Sequence, residues 1–171
     1  MAGIFAAASF RTLGTAATPQ NLFTIENIDA TKLIYIRRLT VQLDATAVLV
    51  SVMPQVKVSR SAAVPTGGTV LAKAQFDTGN ASNANSIVRG GNASDGGVAT
   101  AITATAGTSI WQQYCMRMHT VVGQVLAPDN NVLPLLVETE NLILRQNQAL
   151  LVQVVASATN HWFCNVVWEE D

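Results

Sequence analysis

"ENLILRQNQALLVQVV" (residues 140–155) is two apolar runs parted by four polar residues, Arg145 to Gln148. Each run is strand-sized and rich in Leu, Ile and Val, and the break is the length of a tight turn. The stretch predicts a β-hairpin with Gln146 and Asn147 at its tip. Working outward, the same texture recurs. "LTVQLD" (residues 39–44) sets Leu39, Val41 and Leu43 on one face and Thr40 and Gln42 on the other, a period of two. "NLFTIENID" (residues 21–29) alternates Phe23, Ile25 and Asn27 against Leu22, Thr24 and Glu26. "AVLVSVMPQVKVSR" (residues 47–60) keeps Val48, Val50, Val52, Val56 and Val58 in phase, with Pro54 in the same row. Proline donates nothing to a ladder, so an edge strand or a bulge is expected there.

Further strands fit "TVLAKAQF", "VATAITAT", "SIWQQYCMRMH", "PLLVETENLIL", "ALLVQVVAS" and "HWFCNVVWEE", and "VPTGG" (residues 64–68) reads as a turn between two of them. The expected fold is all-β, an antiparallel jelly roll or β-sandwich over residues 19–171. Ahead of it, Gly3 to Leu13 is Ala-rich and is the one helical candidate, followed by a Thr/Ala linker ending at Pro19. Residues 1–18 therefore read as an extended N-terminal arm. Its Ile4, Phe5 and Phe10 would not stay exposed on an isolated domain, so they are candidate interaction residues.

The chain has 171 residues, enough for one domain with a real core. Hydrophobic residues make up 49% and charged residues 12%, about half the share in an average soluble domain. So few charges cannot clothe a monomer of this size, which implies surfaces covered by copies of the chain or by a larger assembly. A homotrimer is the expected closed form. Net charge is −1 and the pI about 6.1, so neither nucleic acid nor an anionic membrane is an expected partner. The first nineteen residues lack a basic n-region and their apolar run breaks at Arg11. No window approaches the roughly 18 apolar residues of a transmembrane helix. With two cysteines, Cys115 and Cys164, the expectation is synthesis in a reducing cytosol with both thiols free and buried.

Catalytic chemistry finds little purchase. His119 and His161 would need a nearby Ser or Cys and an orienting acid, and no serine sits in a G-x-S-x-G elbow. Cys115 and His119 are four apart, roughly 13 Å along a strand at about 3.3 Å per residue, too wide for one zinc. Glu138 and Glu140 share a strand face, where solvated charges are the ordinary explanation. No cofactor is expected. "TGNASNANSIVRGGNASDGG" (residues 78–97) fits neither a P-loop nor an EF-hand, since no lysine follows its glycines and Asp95 is its only carboxylate. Its two N-x-S sequons lack a secretory context. It reads as a contact loop, with Ile87, Val88 and Arg89 as candidate anchors to a neighbour.

The segments "NLFTIENIDATKLIYIRRLTVQL", "VKVSRSAAVPTGGTVL", "SNANSIVRGGNASDGG" and "LILRQNQALLVQVV" together resemble small all-β virion proteins of tailed bacteriophages, most closely capsid decoration (cement) proteins. The resemblance spans most of residues 20–168 in texture and order of segments. It implies a structural protein of the virion, made in the host cytoplasm, that binds the major capsid protein or other virion proteins, often as a jelly-roll trimer, with no catalytic residues. Two other classes remain open. One is a receptor- or carbohydrate-binding module of a head or tail appendage, with Trp111, Trp162 and Trp168 as a stacking platform, although burial is the commoner fate of such rings. The other is an enzyme on a β-sandwich scaffold.

Overall fold

The computed structural model of the protein describes residues 3–13, 16–44, 55–76, 85–91, 101–114, 135–156 and 160–171. Within them every regular element is a strand: β1 (Gly3–Leu13), β2 (Ala16–Asn27), β3 (Ile34–Asp44), β4 (Gln55–Ser61), β5 (Thr66–Gly67), β6 (Thr69–Val70), β7 (Ala74–Gln75), β8 (Ser86–Gly90), β9 (Ile102–Thr103), β10 (Ala106–Tyr114), β11 (Leu135–Leu144), β12 (Ala149–Ala156) and β13 (Asn160–Glu170). The fold is all-β. A five-stranded sheet runs β11-β3-β13-β1-β7, a six-stranded sheet runs β10-β4-β12-β2-β8-β6, and β5 pairs with β9. All pairings are antiparallel.

The long strands alternate between the sheets as the chain proceeds. β1, β3, β11 and β13 lie in one, and β2, β4, β10 and β12 in the other. Pairing is nested: β1 with β13, β2 with β12, β3 with β11 and β4 with β10. The first four strands thus match the last four in reverse order. Both sheets contribute to one hydrophobic core, an arrangement compatible with a β-sandwich. Phe5, Ile36, Leu39, Val41, Trp162 and Trp168 come from one side, and Phe23, Ile25, Val58, Leu150 and Val152 from the other. The Phe5 and Trp168 rings stack at 5.8 Å between centroids.

The expectation of a helix and a free arm at the N-terminus is corrected. Gly3–Leu13 is a strand inside the five-stranded sheet, in unbroken eleven-residue register with β13 from Gly3↔Glu170 to Leu13↔Asn160. Its burial alternates strictly, with Phe5, Ala7, Ser9, Arg11 and Leu13 inward and Ile4, Ala6, Ala8, Phe10 and Thr12 outward. Ala-rich composition favours a helix only weakly, and an intact period of two with partners on both edges overrides it.

The hairpin at residues 140–155 is also corrected. β11 ends in the five-stranded sheet and β12 starts in the six-stranded one, so the turn crosses the core. Gln148 N–H donates to Arg145 C=O at 3.0 Å, and Asn147 alone of the non-glycine described residues has positive φ, at 59°. One left-handed residue at the third turn position makes a type II-like turn, whose twist splays its strands, where a paired hairpin favours two. Asn27 locks the crossing. Its N–H donates to Gln148 C=O and its C=O accepts from Asn147 N–H, while Nδ2 donates to the carbonyls of Lys32 and Leu144 at 2.9 Å.

Elsewhere the period-two readings meet the structure unevenly. Leu39 and Val41 are buried and Gln42 is exposed, as their alternation predicts. In β2 both faces are buried from Leu22 to Asn27, and the register slips by one residue at Leu22, a bulge that alternation did not anticipate. "TVLAKAQF" yields only the two-residue strands β6 and β7. In "VPTGG", Thr66–Gly67 pairs with β9, and Gly67 and Gly68 take positive φ. A Cβ on Gly67 would meet the Ala101 carbonyl oxygen at 2.4 Å, so glycine is required there. Pro54, Cys115, His119 and residues 92–97 lie outside the described residues.

Candidate functional site

Closure of the fold fixes several buried polar groups, and these are structural. Glu170 ends β13 with its carboxylate enclosed: Oε1 accepts from Ser86 Oγ at 2.8 Å and Trp168 Nε1 at 2.7 Å, and Oε2 accepts from Asn85 N–H. Lys73 Nζ donates to the Ser86 carbonyl at 2.6 Å. This ties β8, in one sheet, to the last strand of the other.

The anchors expected in residues 78–97 have internal duties instead. Ser86–Gly90 is strand β8, paired with β2 through Thr24↔Arg89 and Glu26↔Ile87. Val88 is fully buried in the core and Ile87 is half-buried. Arg89 Nη1 donates to the Gly67 carbonyl at 3.2 Å. Glu26, diagonal to Arg89 by two residues, is buried and its Oε2 has no partner. Burial pushes its carboxyl above the ordinary range, and the Arg89 charge opposes that rise without cancelling it. The contact-loop reading does not hold for residues 85–91.

Of the remaining candidates, Phe5 is core, whereas Ile4 and Phe10 face outward. They open a larger feature, the outer face of the five-stranded sheet. Across β1 and β13 the outward pairs are Ile4↔Glu169, Ala6↔Val167, Ala8↔Asn165, Phe10↔Phe163 and Thr12↔His161. The Phe10 ring lies 4.8 Å from Phe163 and meets His161 edge-on at 5.1 Å. At the sheet edge Phe76 N–H donates to the Ile4 carbonyl, and the Phe76 side chain is 66% exposed. Ile4 is 45% and Phe163 37% exposed. A bulge in β3 beside Val167 turns both Arg37 and Arg38 outward, and Arg37 pairs with Glu169. The face is apolar along β1, and Arg37, Arg38 and Glu169 lie toward one end of β13 and β3.

The other sheet carries a different surface. Pairing aligns Gln112, Lys57, Gln153 and Asn21 in one row across β10, β4, β12 and β2, with Ser109, Ser59, Leu151 and Thr24 in a neighbouring row. Of these, Gln112, Lys57, Gln153, Ser109 and Ser59 line a groove of about 310 Å³ with Pro19, Ala106 and Gly107, whereas Leu151 and Thr24 are fully buried. Composition alone did not mark it, because its members sit on four strands spread over 19–153 and meet only through register.

The tryptophan platform is not assembled, since Trp162 and Trp168 are fully buried and Trp111 packs against the core. Cys164 is a buried free thiol, held protonated by its apolar surroundings. Glu138 and Glu140 fall on β11. Among the described residues no three of His, Cys, Asp and Glu gather as metal ligands. Compared with known proteins, the chain matches no family model, no curated protein and no solved structure.

Proposed function

We propose that the chain is a structural subunit of a virion, a jelly-roll protein that decorates and stabilises a bacteriophage capsid lattice as a homotrimer. The jelly roll is supported by the nested pairing of β1–β4 with β13–β10, as expected of one long two-stranded ribbon wound into two facing sheets. Jelly rolls of this kind recur in viral capsid and lectin domains. The observation that carries an assembly role is the outer face of the five-stranded sheet. There Ile4, Phe10, Phe76 and Phe163 stand outward on a chain with 12% charged residues. A contiguous apolar face of this kind is the mark of an interaction surface.

The role is attachment rather than chemistry. The subunits associate through apolar surface, and the assembled trimer sits on the lattice of the major capsid protein. Electron microscopy of phage particles containing the chain, labelled with antibody against it, tests this reading. Labels at regular head positions are expected. Labelling confined to tails, or absence of the chain from purified particles, would sink it.

A further inference from the structure

We propose that the groove on the outer face of the six-stranded sheet binds a single sugar residue bearing a carboxylate, with Lys57 pairing its charge. The inference rests on the groove alone and goes beyond attachment to a capsid. Four observations carry it. First, Lys57 is the one charged residue lining the groove, and among the described residues it has no ion pair or hydrogen bond. A lone cation with no acid beside it selects one negative charge.

Second, Ser59 lines the groove at 3% exposure, and its Oγ has no hydrogen-bond partner. A buried hydroxyl left unmatched is costly unless a ligand or water completes it. Third, Gln153 in the groove is oriented in advance by Asn21 behind it. Asn21 Nδ2 donates to the carbonyls of Ile102 and Ala104 at 2.9 and 3.0 Å, which leaves Asn21 Oδ1 to accept. Gln153 Nε2 donates to that oxygen at 2.8 Å, so Gln153 Oε1 remains an acceptor in the groove. With Ser59, Ser109 and Gln112, the groove then offers hydroxyls and amides that both donate and accept, as a ring of sugar hydroxyls requires.

Fourth, β10 carries two register shifts, between Ala106 and Ser109 and between Ser109 and Trp111. Its extra residues bend the strand and form the groove wall. Gly107 lies so close to β4 that a Cβ would stand 3.0 Å from the Arg60 carbonyl oxygen. Pro19 and Ala106 supply small apolar edges for the C–H face of a ring. The volume is at the lower end for ligand pockets, the size for one monosaccharide.

Saturation-transfer NMR on the full chain tests this with sodium glucuronate and glucose as the observed ligands and inorganic phosphate, which has no carbon-bound proton, as a competitor against glucuronate. Glucuronate should bind with a dissociation constant on the order of 1 mM, the range for about a dozen heavy atoms. Glucose and phosphate should each bind at least about tenfold more weakly, because each lacks half of the recognition. Lys57→Gln should weaken glucuronate about tenfold, and Gln112→Ala should weaken it less, with unchanged circular dichroism for both. No transfer to glucuronate, phosphate competing as well as glucuronate, or an undiminished signal from Lys57→Gln would each overturn the proposal. Sedimentation of the same variants separates this result from the assembly reading, since Lys57 is on the opposite sheet from the apolar face.

Discussion

Asn147 shows how one side chain can redirect a chain. It sits at φ 59° in the turn between β11 and β12. A left-handed β-branched residue there would clash with its own carbonyl, so Asn147→Val should cost about 1–2 kcal/mol in urea unfolding. Asn147→Gly should remain within a few tenths of wild type, roughly. Equal losses for the two would mean that the side chain of Asn147, not its backbone, matters. Glu26 makes a second residue-scale case. Its folded carboxyl titrates above the ordinary value of 4.5, so the native state holds the proton more tightly than the unfolded chain. Stability from this group is therefore present at low pH and is lost as pH rises from about the unfolded value through the raised folded one. Glu26→Gln should gain stability relative to wild type at pH 7.5 and show a smaller difference at pH 4.5, both read by urea unfolding. A difference independent of pH would mean that Arg89 already neutralises the group.

At the scale of elements, alternation located strands well and misjudged what they pair with. Period two gives the face of a residue, so Leu39, Val41, Val56 and Val58 were legible as core. It carries no information on which sheet a strand joins, so the run 140–155 looked like one hairpin while its halves lie in opposite sheets. β1 was missed for a related reason: alanines alternate silently, and Phe5 and Phe10 fall on opposite faces of the same strand. The groove was illegible because cross-strand register is a product of the whole fold. The corrected place of β1 has a consequence. Phe5→Ala should lose about 3–5 kcal/mol, since the ring is 3% exposed and stacks on Trp168. Its neighbour Ile4→Ala should lose clearly less than Phe5→Ala, since its side chain is 45% exposed on the outer face of the subunit. Deletion of residues 1–13 should leave no cooperative unfolding transition, because it strips one of the two partners from the whole length of β13 and removes Phe5, Ala7 and Leu13 from the core. A truncated chain that unfolds like wild type would return β1 to the status of a dispensable arm.

At the scale of the whole molecule, the two outer faces divide the labour. The six-stranded sheet carries the groove with Lys57, and the five-stranded sheet carries the apolar stripe. The face that holds the stripe is large enough to matter. Four long strands at about 4.8 Å spacing, about ten residues long at about 3.3 Å each, make a face of roughly 650 Å². That is close to the roughly 800 Å² per partner of a standard interface. Covering the β1 side of it with a second copy would bury Ile4, Phe10, Phe76 and Phe163, while Arg37 and Glu169 pair with each other at one end and the exposed Arg38 lies beside Val167. In a cyclic trimer a single substitution enters every interface at once. Phe163→Glu would place a carboxylate beside Phe10 in the middle of the stripe, where burial without a cation is unfavourable. Sedimentation at micromolar concentration should therefore find wild type as a trimer and Phe163→Glu as a monomer with an unchanged circular dichroism spectrum. Lys57→Glu, on the other sheet, should stay trimeric. If Phe163→Glu remains assembled while Lys57→Glu dissociates, the contact runs through the polar sheet, and the apolar stripe faces another protein.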